Sequence, residues 1–268
     1  MKSLRTLLCL CMLAAPIVGH AQSPRLAEIF EANMRPGWKT ESGTYMAALH
    51  LRLAQDWITY WRHPGESGIV PTLDVSASRN LAGARILWPE PRLYIKAGFA
   101  SIGYSGEIIL PIELSPADPG QPVDFDAILS IGVCDDICIP VDLSLRVVAN
   151  GAGKQDAMIA SALTRRPKAV STAGLETMVC NVTPDKRGIR LSASLQMPPQ
   201  GTEEFVLIEM MGSAMPARAL PTERLGDTLT GETLFQTKSG GSIDRSTVRI
   251  SVVSEHGTLV HQGCGVSD

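Results

Sequence analysis

Along most of this chain apolar and polar residues alternate with a period of two. Tyr45, Ala47, Leu49, Leu51 and Leu53 fall on one face of an extended run, with His50 and Arg52 on the other. Val141, Leu143, Leu145 and Val147 alternate in the same way with Asp142, Ser144 and Arg146. Between these runs lie 106–114 and 124–130, both bounded by Pro, Gly and Ser turn signals. Alternation with frequent turns predicts half-buried strands of an all-β sandwich, not a βαβ fold.

The pattern changes over 151–169. Gly151 and Gly153 end the preceding strand, and Lys154 to Arg166 predicts a short amphipathic helix that Pro167 stops. Met158, Ile159, Ala162 and Leu163 supply its apolar face. Alternation then resumes at Ile189, Leu191, Ala193, Leu195 and Met197, with further strands expected at 205–210, 248–253 and 258–261 and a turn at 255–257. The expected organisation is two immunoglobulin-like β-sandwich domains, 25–150 and 170–268, joined by a helical connector at 151–169.

The first 21 residues stand apart. Lys2 and Arg5 precede an apolar run from Leu7 to Val18, and Gly19-His20-Ala21 suits cleavage before Gln22. This is the pattern of an export signal peptide, too short and wrongly flanked for a membrane span. Export is therefore expected, and no later segment has the apolar length to cross a bilayer. Losing Lys2 and Arg5 takes the formal charge from −3 to −5. A mildly acidic chain without a Lys/Arg block has no footprint for nucleic acid and no polybasic patch for anionic lipid.

Six cysteines are present, and Cys9 and Cys11 leave with the signal. Cys134, Cys138, Cys180 and Cys264 remain, an even count that suggests two bridges in an oxidising compartment. Three pairings are formally possible, and spacing favours Cys134–Cys138 with Cys180–Cys264. The latter would tie the ends of the second domain together as a structural disulfide. The former closes a loop so short that it removes little unfolded-state entropy, which argues against a simple staple.

Cys134 and Cys138 flank Asp135-Asp136-Ile137. Nearby carboxylates disfavour a thiolate, so these thiols are poor nucleophiles unless the fold supplies a counter-charge. Four readings apply to the pair: a hairpin staple, a metal site, a thioredoxin-type centre, and a redox pair on a β-scaffold. The sequence nearby offers no third metal ligand at ordinary spacing, and no βαβ pattern surrounds the pair. No Ser/His/Asp order, phosphate-binding loop or paired-carboxylate motif points to a hydrolase or a nucleotide enzyme.

Four ordered blocks carry a resemblance: Trp57-Ile-Thr-Tyr-Trp-Arg-His-Pro-Gly-Glu-Ser-Gly68, Leu87-Trp-Pro-Glu-Pro91, Gly103-Tyr-Ser-Gly-Glu-Ile-Ile-Leu-Pro111 and Val133-Cys-Asp-Asp-Ile-Cys-Ile-Pro140. Together they resemble the periplasmic N-terminal domain of the DsbD/ScsB thiol:disulfide interchange proteins. The cysteine spacing is closer to the ScsB type, which also carries a second periplasmic β-domain. The resemblance implies an immunoglobulin-like fold and a cap loop whose aromatic side chain shields the cysteines. Residues 89–104 would hold the cap, with Tyr94, Phe99 and Tyr104 as candidate shields, Tyr60 as a further lining residue and Glu90 as a nearby acid. It implies protein-disulfide reductase-like exchange without a cofactor, with Cys138 forming the mixed disulfide and Cys134 resolving it. Implied partners are thioredoxin-like acceptors, including disulfide isomerases, cytochrome c maturation factors and copper-stress proteins. The sequence shows neither the transmembrane importer nor the thioredoxin domain of the full-length relatives, so a separate membrane electron donor is expected. The competing expectation is a binding or adaptor protein without turnover, in its sharpest form a copper binder through Cys134 and Cys138.

Overall fold

The computed structural model describes residues 26–96, 98–212, 217–237 and 243–264. The expected signal peptide, with Cys9 and Cys11, lies outside the described residues. A single helical turn, α1 (Leu26–Ile29), opens the described chain and ten strands follow. They are β1 (Phe30–Lys39), β2 (Tyr45–Leu53), β3 (Ile58–Gly65), β4 (Thr72–Asp74) and β5 (Leu81–Ile86), then β6 (Arg92–Lys96), β7 (Phe99–Ser105), β8 (Glu107–Pro116), β9 (Val123–Cys134) and β10 (Cys138–Ala149). One sheet has the order β1-β2-β8-β5; the facing sheet runs β10-β9-β3-β7-β6, with β4 added beside β9. Trp61, Phe125, Leu49, Leu51, Ile112 and Leu129 fill the space between them.

The strand expected from Tyr45 to Leu53 forms, but it is buried on both faces except at Arg52. The reason is helix α2 (Ala157–Thr164), which lies on the outer face and packs Ile159 and Ala162 against Met46, Ala48 and Ile109. The helix is shorter than the 154–166 expected from periodicity. Asp156 sets its start, its Oδ1 accepting from the backbone N–H of Met158 at 2.9 Å and of Ile159 at 3.0 Å. Such an N-cap satisfies donors that the first turn otherwise leaves unpaired. Arg35 of β1 holds the same carboxylate at 2.6 Å, fixing the helix to the first sandwich. The segment that periodicity marks as a connector thus completes a core.

The second half contains β11 (Lys168–Ala169), β12 (Thr177–Asp185), β13 (Gly188–Gln196), β14 (Glu204–Met210), β15 (Ala217–Ala219), β16 (Glu223–Leu225), β17 (Thr228–Gln236), β18 (Val248–Ser254) and β19 (Gly257–Gln262). They form two more sheets, β11-β19-β18-β14 and β12-β13-β17-β15, with β16 paired to β17. Leu191, Leu195, Val206, Leu229, Phe235 and Val252 are buried between them. Cys180 of β12 and Cys264 after β19 are bridged inside this core, 84 residues apart in sequence. The chain is thus built from β-sandwiches of immunoglobulin-like type.

The two sandwiches touch. Phe205, Leu207, Ala219 and Val253 of the second pack into the core of the first. Strand β3 leaves its ladder with β7 between Tyr60 and Gly65, so that four residues oppose Ile102 alone. Such a bulge re-aims side chains. Here it sends Arg62 to Glu209, with guanidinium–carboxylate distances of 3.1, 3.1 and 2.7 Å, and to the Ser251 hydroxyl at 3.1 Å.

Candidate functional site

Cys134 ends β9 and Cys138 begins β10, and the two are register partners across the hairpin. Their Cα atoms are 4.1 Å apart and their sulfurs are bonded. Opposed positions at the mouth of an antiparallel hairpin can open and reclose a disulfide with little backbone movement. Strand β3 sets the inner wall, pairing Ile58 with Cys134 and Thr59 with Val133, while the Thr59 hydroxyl donates to the Gly132 carbonyl at 2.8 Å.

The two sulfur-bearing residues differ in access. Cys134 is 2 % exposed and belongs to the buried core face, whereas Cys138 is exposed. A reagent thiolate must reach a sulfur along the S–S axis, so the outer residue is the one open to attack. Tyr60 is buried below it, its hydroxyl 3.5 Å from the Cys138 sulfur. A bridged sulfur carries no proton, so the tyrosine O–H is the donor. Burial raises the Tyr60 pKa, which keeps that proton in place.

The acidic turn has a counter-charge. Lys96, at the end of β6, places its ammonium 2.8 Å from Asp136 Oδ1, 3.3 Å from Asp135 Oδ1 and 3.3 Å from the Asp135 carbonyl. The hydrogen bond to Asp136 raises the Lys96 pKa, and the same bond lowers that of Asp136. These groups are solvent-exposed, so the contact is weak and salt-sensitive. Its consequence is positional, since it ties the β6–β7 hairpin to the turn between the cysteines. Ile95, Phe99 and Ile137, each more than half exposed, give this end of the molecule an apolar rim.

The residues expected at the site divide. Tyr60 is brought to the sulfur. Phe99 lies on the β6–β7 hairpin opposite Lys96 and is 57 % exposed. Tyr94 shares that hairpin, but its hydroxyl donates to Ser105 at 3.0 Å. Tyr104 is turned into the core, donating to the Pro89 carbonyl at 2.8 Å, and burial holds its pKa well above the ordinary value. Glu90 serves the boundary between the sandwiches, its carboxylate accepting from the Thr258 N–H at 2.6 Å. Sequence reasoning misses Lys96, although a lysine inside the expected cap segment answers the need for a charge opposite Asp135 and Asp136. Among the described residues no three His, Cys, Asp or Glu side chains converge as a metal site, and no helix is long and apolar enough to cross a membrane.

No curated protein matches this sequence. Among solved structures, the N-terminal periplasmic domain of ScsB from Proteus mirabilis is similar, with a TM-score of 0.59 at 20% identity over 89% of this chain and 93% of that one. At that identity the likeness shows a shared fold through both sandwiches. Residues 28–149, which hold the cysteine hairpin, Tyr60 and Lys96, match the family described as thiol:disulfide interchange protein DsbD, N-terminal.

Proposed function

We propose that this protein is a periplasmic thiol–disulfide exchange protein that passes reducing equivalents to thioredoxin-like acceptors through Cys134 and Cys138. The observation that carries the reading is the asymmetry of the pair, one cysteine buried and one exposed, at a hairpin mouth with a tyrosine hydroxyl on the exposed residue's sulfur. In the reduced protein the Cys138 thiolate attacks a sulfur of the acceptor disulfide, and one acceptor sulfur leaves as a thiolate. Cys134, deprotonated in turn, attacks the Cys138 sulfur and releases the second acceptor thiolate. Two electrons pass to the acceptor and the Cys134–Cys138 bond reforms. Recharging runs the sequence backwards with a dithiol donor, which the family relationship suggests is a membrane protein.

The Lys96 contact and the apolar rim support a site built for docking a protein partner. The Lys96 contact holds the β6–β7 hairpin beside the turn between the cysteines, and the exposed Ile95, Phe99 and Ile137 offer an apolar surface on which a partner approaching Cys138 can dock.

Two measurements test the reading. The mature protein is titrated with dithiothreitol or glutathione, and Cys134 and Cys138 are followed by alkylation and mass spectrometry. The expected result is reversible reduction of this pair while the fold is intact; a pair reduced only on unfolding would make it a staple. A Cys134→Ser variant is expected to hold thioredoxin-like acceptors as mixed disulfides through Cys138. Trapping through Cys134 in a Cys138→Ser variant instead would reverse the assigned order.

A further inference from the structure

A second concave region lies away from the cysteine hairpin, between the two sandwiches. It is a cleft of about 620 Å³, and four arginines line it: Arg62 and Arg85 from the first sandwich, Arg166 from the segment after α2, and Arg249 from β18. Among the described residues no carboxylate lines it. Arg62 is neutralised from behind by Glu209 and Arg85 by Glu113 at 2.7 Å. Arg166 and Arg249 have no carboxylate within ion-pair distance among the described residues, and the Arg249 guanidinium rests against the neutral sulfur of Met211. A thioether is a weak acceptor and does not satisfy a guanidinium.

Gathering like charges in a concave wall is unfavourable unless an anion is taken up there. The positive charge of Arg249 already opposes that of Arg62 across the cleft. Trp88, Leu87 and Val260 supply apolar wall between the guanidiniums. Arginine forks pair bidentately with carboxylate and phosphate oxygens, and an aromatic wall accommodates a flat apolar body. The volume is that of a small-molecule site.

We infer that this inter-domain cleft binds a small organic anion with at least two negative charges, held by Arg166 and Arg249 with Arg62 and Arg85, its apolar body against Trp88. Such a ligand would bridge both sandwiches and favour their docked arrangement.

The test is calorimetric titration of the oxidised mature protein with phenyl phosphate, and with inorganic phosphate as the probe lacking an apolar body. Saturable binding of phenyl phosphate is expected at low ionic strength, weaker for inorganic phosphate and weaker for both in salt. An Arg166→Gln/Arg249→Gln variant is expected to lose about tenfold or more in affinity. Arg166→Gln alone, at an exposed position, is expected to keep the parent unfolding transition and show a smaller loss. No saturable heat with phenyl phosphate, or equal affinity in the double variant, would each overturn the inference. Reduction of Cys134–Cys138 is read separately by alkylation, so failure here leaves the exchange chemistry untouched.

Discussion

Lys96 and Asp136 form an ion pair at 2.8 Å that joins the β6–β7 hairpin to the turn between the two cysteines. The pair offsets the negative charge that would otherwise oppose a thiolate at Cys138. In the reduced protein, Lys96→Met is expected to move the midpoint of Cys138 alkylation upward by roughly a few tenths of a pH unit, the small size reflecting solvent exposure. Asp136→Asn is expected to move it downward. Midpoints that do not respond to either change would remove Lys96 from the electrostatics of the site.

Tyr60 and Gly68 form a second dependence. Gly68 has φ +119°, and a Cβ there would lie 2.4 Å from the Tyr60 ring. Gly68→Ala is therefore expected to destabilise the protein by about 1–3 kcal/mol, by backbone strain and by displacing the ring. Tyr60→Phe keeps the ring and removes only the hydroxyl at Cys138. Its expected signature is a raised alkylation midpoint with a nearly unchanged urea transition, and a large stability loss would show the hydroxyl to be structural.

The Arg62–Glu209 pair is the main polar tie between the sandwiches, with both side chains less than a fifth exposed. Arg62→Ala leaves the Glu209 carboxylate without its bidentate partner, at a cost of about 1–3 kcal/mol. The loss is expected to appear as earlier proteolytic cleavage between 150 and 170 and as separation of a single unfolding transition into two. Differential scanning calorimetry decides it; one unshifted transition would mean that the apolar contacts alone couple the two halves.

His63 gives the pH dependence a sign. Burial lowers its pKa, Glu209 opposes the shift, Arg62 adds to it, and Nδ1 accepts the Gly65 N–H at 3.2 Å, as a neutral ring can. The folded value lies below the unfolded value of about 6.5, so the unfolded chain takes up more protons as the pH falls. The stability this neutral ring contributes is complete above about pH 6.5 and is lost as pH falls through the depressed folded value. Urea midpoints are expected to fall more steeply between about pH 7 and about pH 5 in the parent than in His63→Gln. Parallel slopes would assign the acid sensitivity to other groups.

The two disulfides should differ in what they hold. Cys180–Cys264 closes 84 residues, worth about 4–5 kcal/mol in the chain-entropy model, whereas the separation of 4 at Cys134–Cys138 gives roughly 2 kcal/mol. Cys180→Ala/Cys264→Ala is expected to lower the thermal midpoint well below that of Cys134→Ser/Cys138→Ser while leaving exchange at the hairpin intact. The reverse ranking, by thermal unfolding, would make the hairpin bridge the staple.

Much of the architecture follows from local pattern. The alternation at 141–147 and 189–197, the turn at 255–257 and the cysteine hairpin all form where the sequence predicts them. Strands β1 and β17 were hidden for physical reasons. Pro36 and Gly37 interrupt the alternation of β1, and in β17 an inward position is Gly231, where a Cβ would collide with Val206 of the opposite sheet. A position that must be empty to let two sheets approach does not read as hydrophobic.

At the site, the sequence by itself determined the chemistry available: two thiols at hairpin spacing, two carboxylates between them, and family-like blocks around them. It could not determine which thiol is exposed, because hairpin partners share one local pattern and differ only in what packs above them. Nor could it place Lys96 on Asp136, Tyr60 under Cys138, or Glu90 on Thr258, since those contacts join residues 40 to 168 positions apart. Local alternation sets strand and face. Long-range docking of one sheet, one hairpin and a second sandwich decides which polar groups meet, and that was settled only by the tertiary structure.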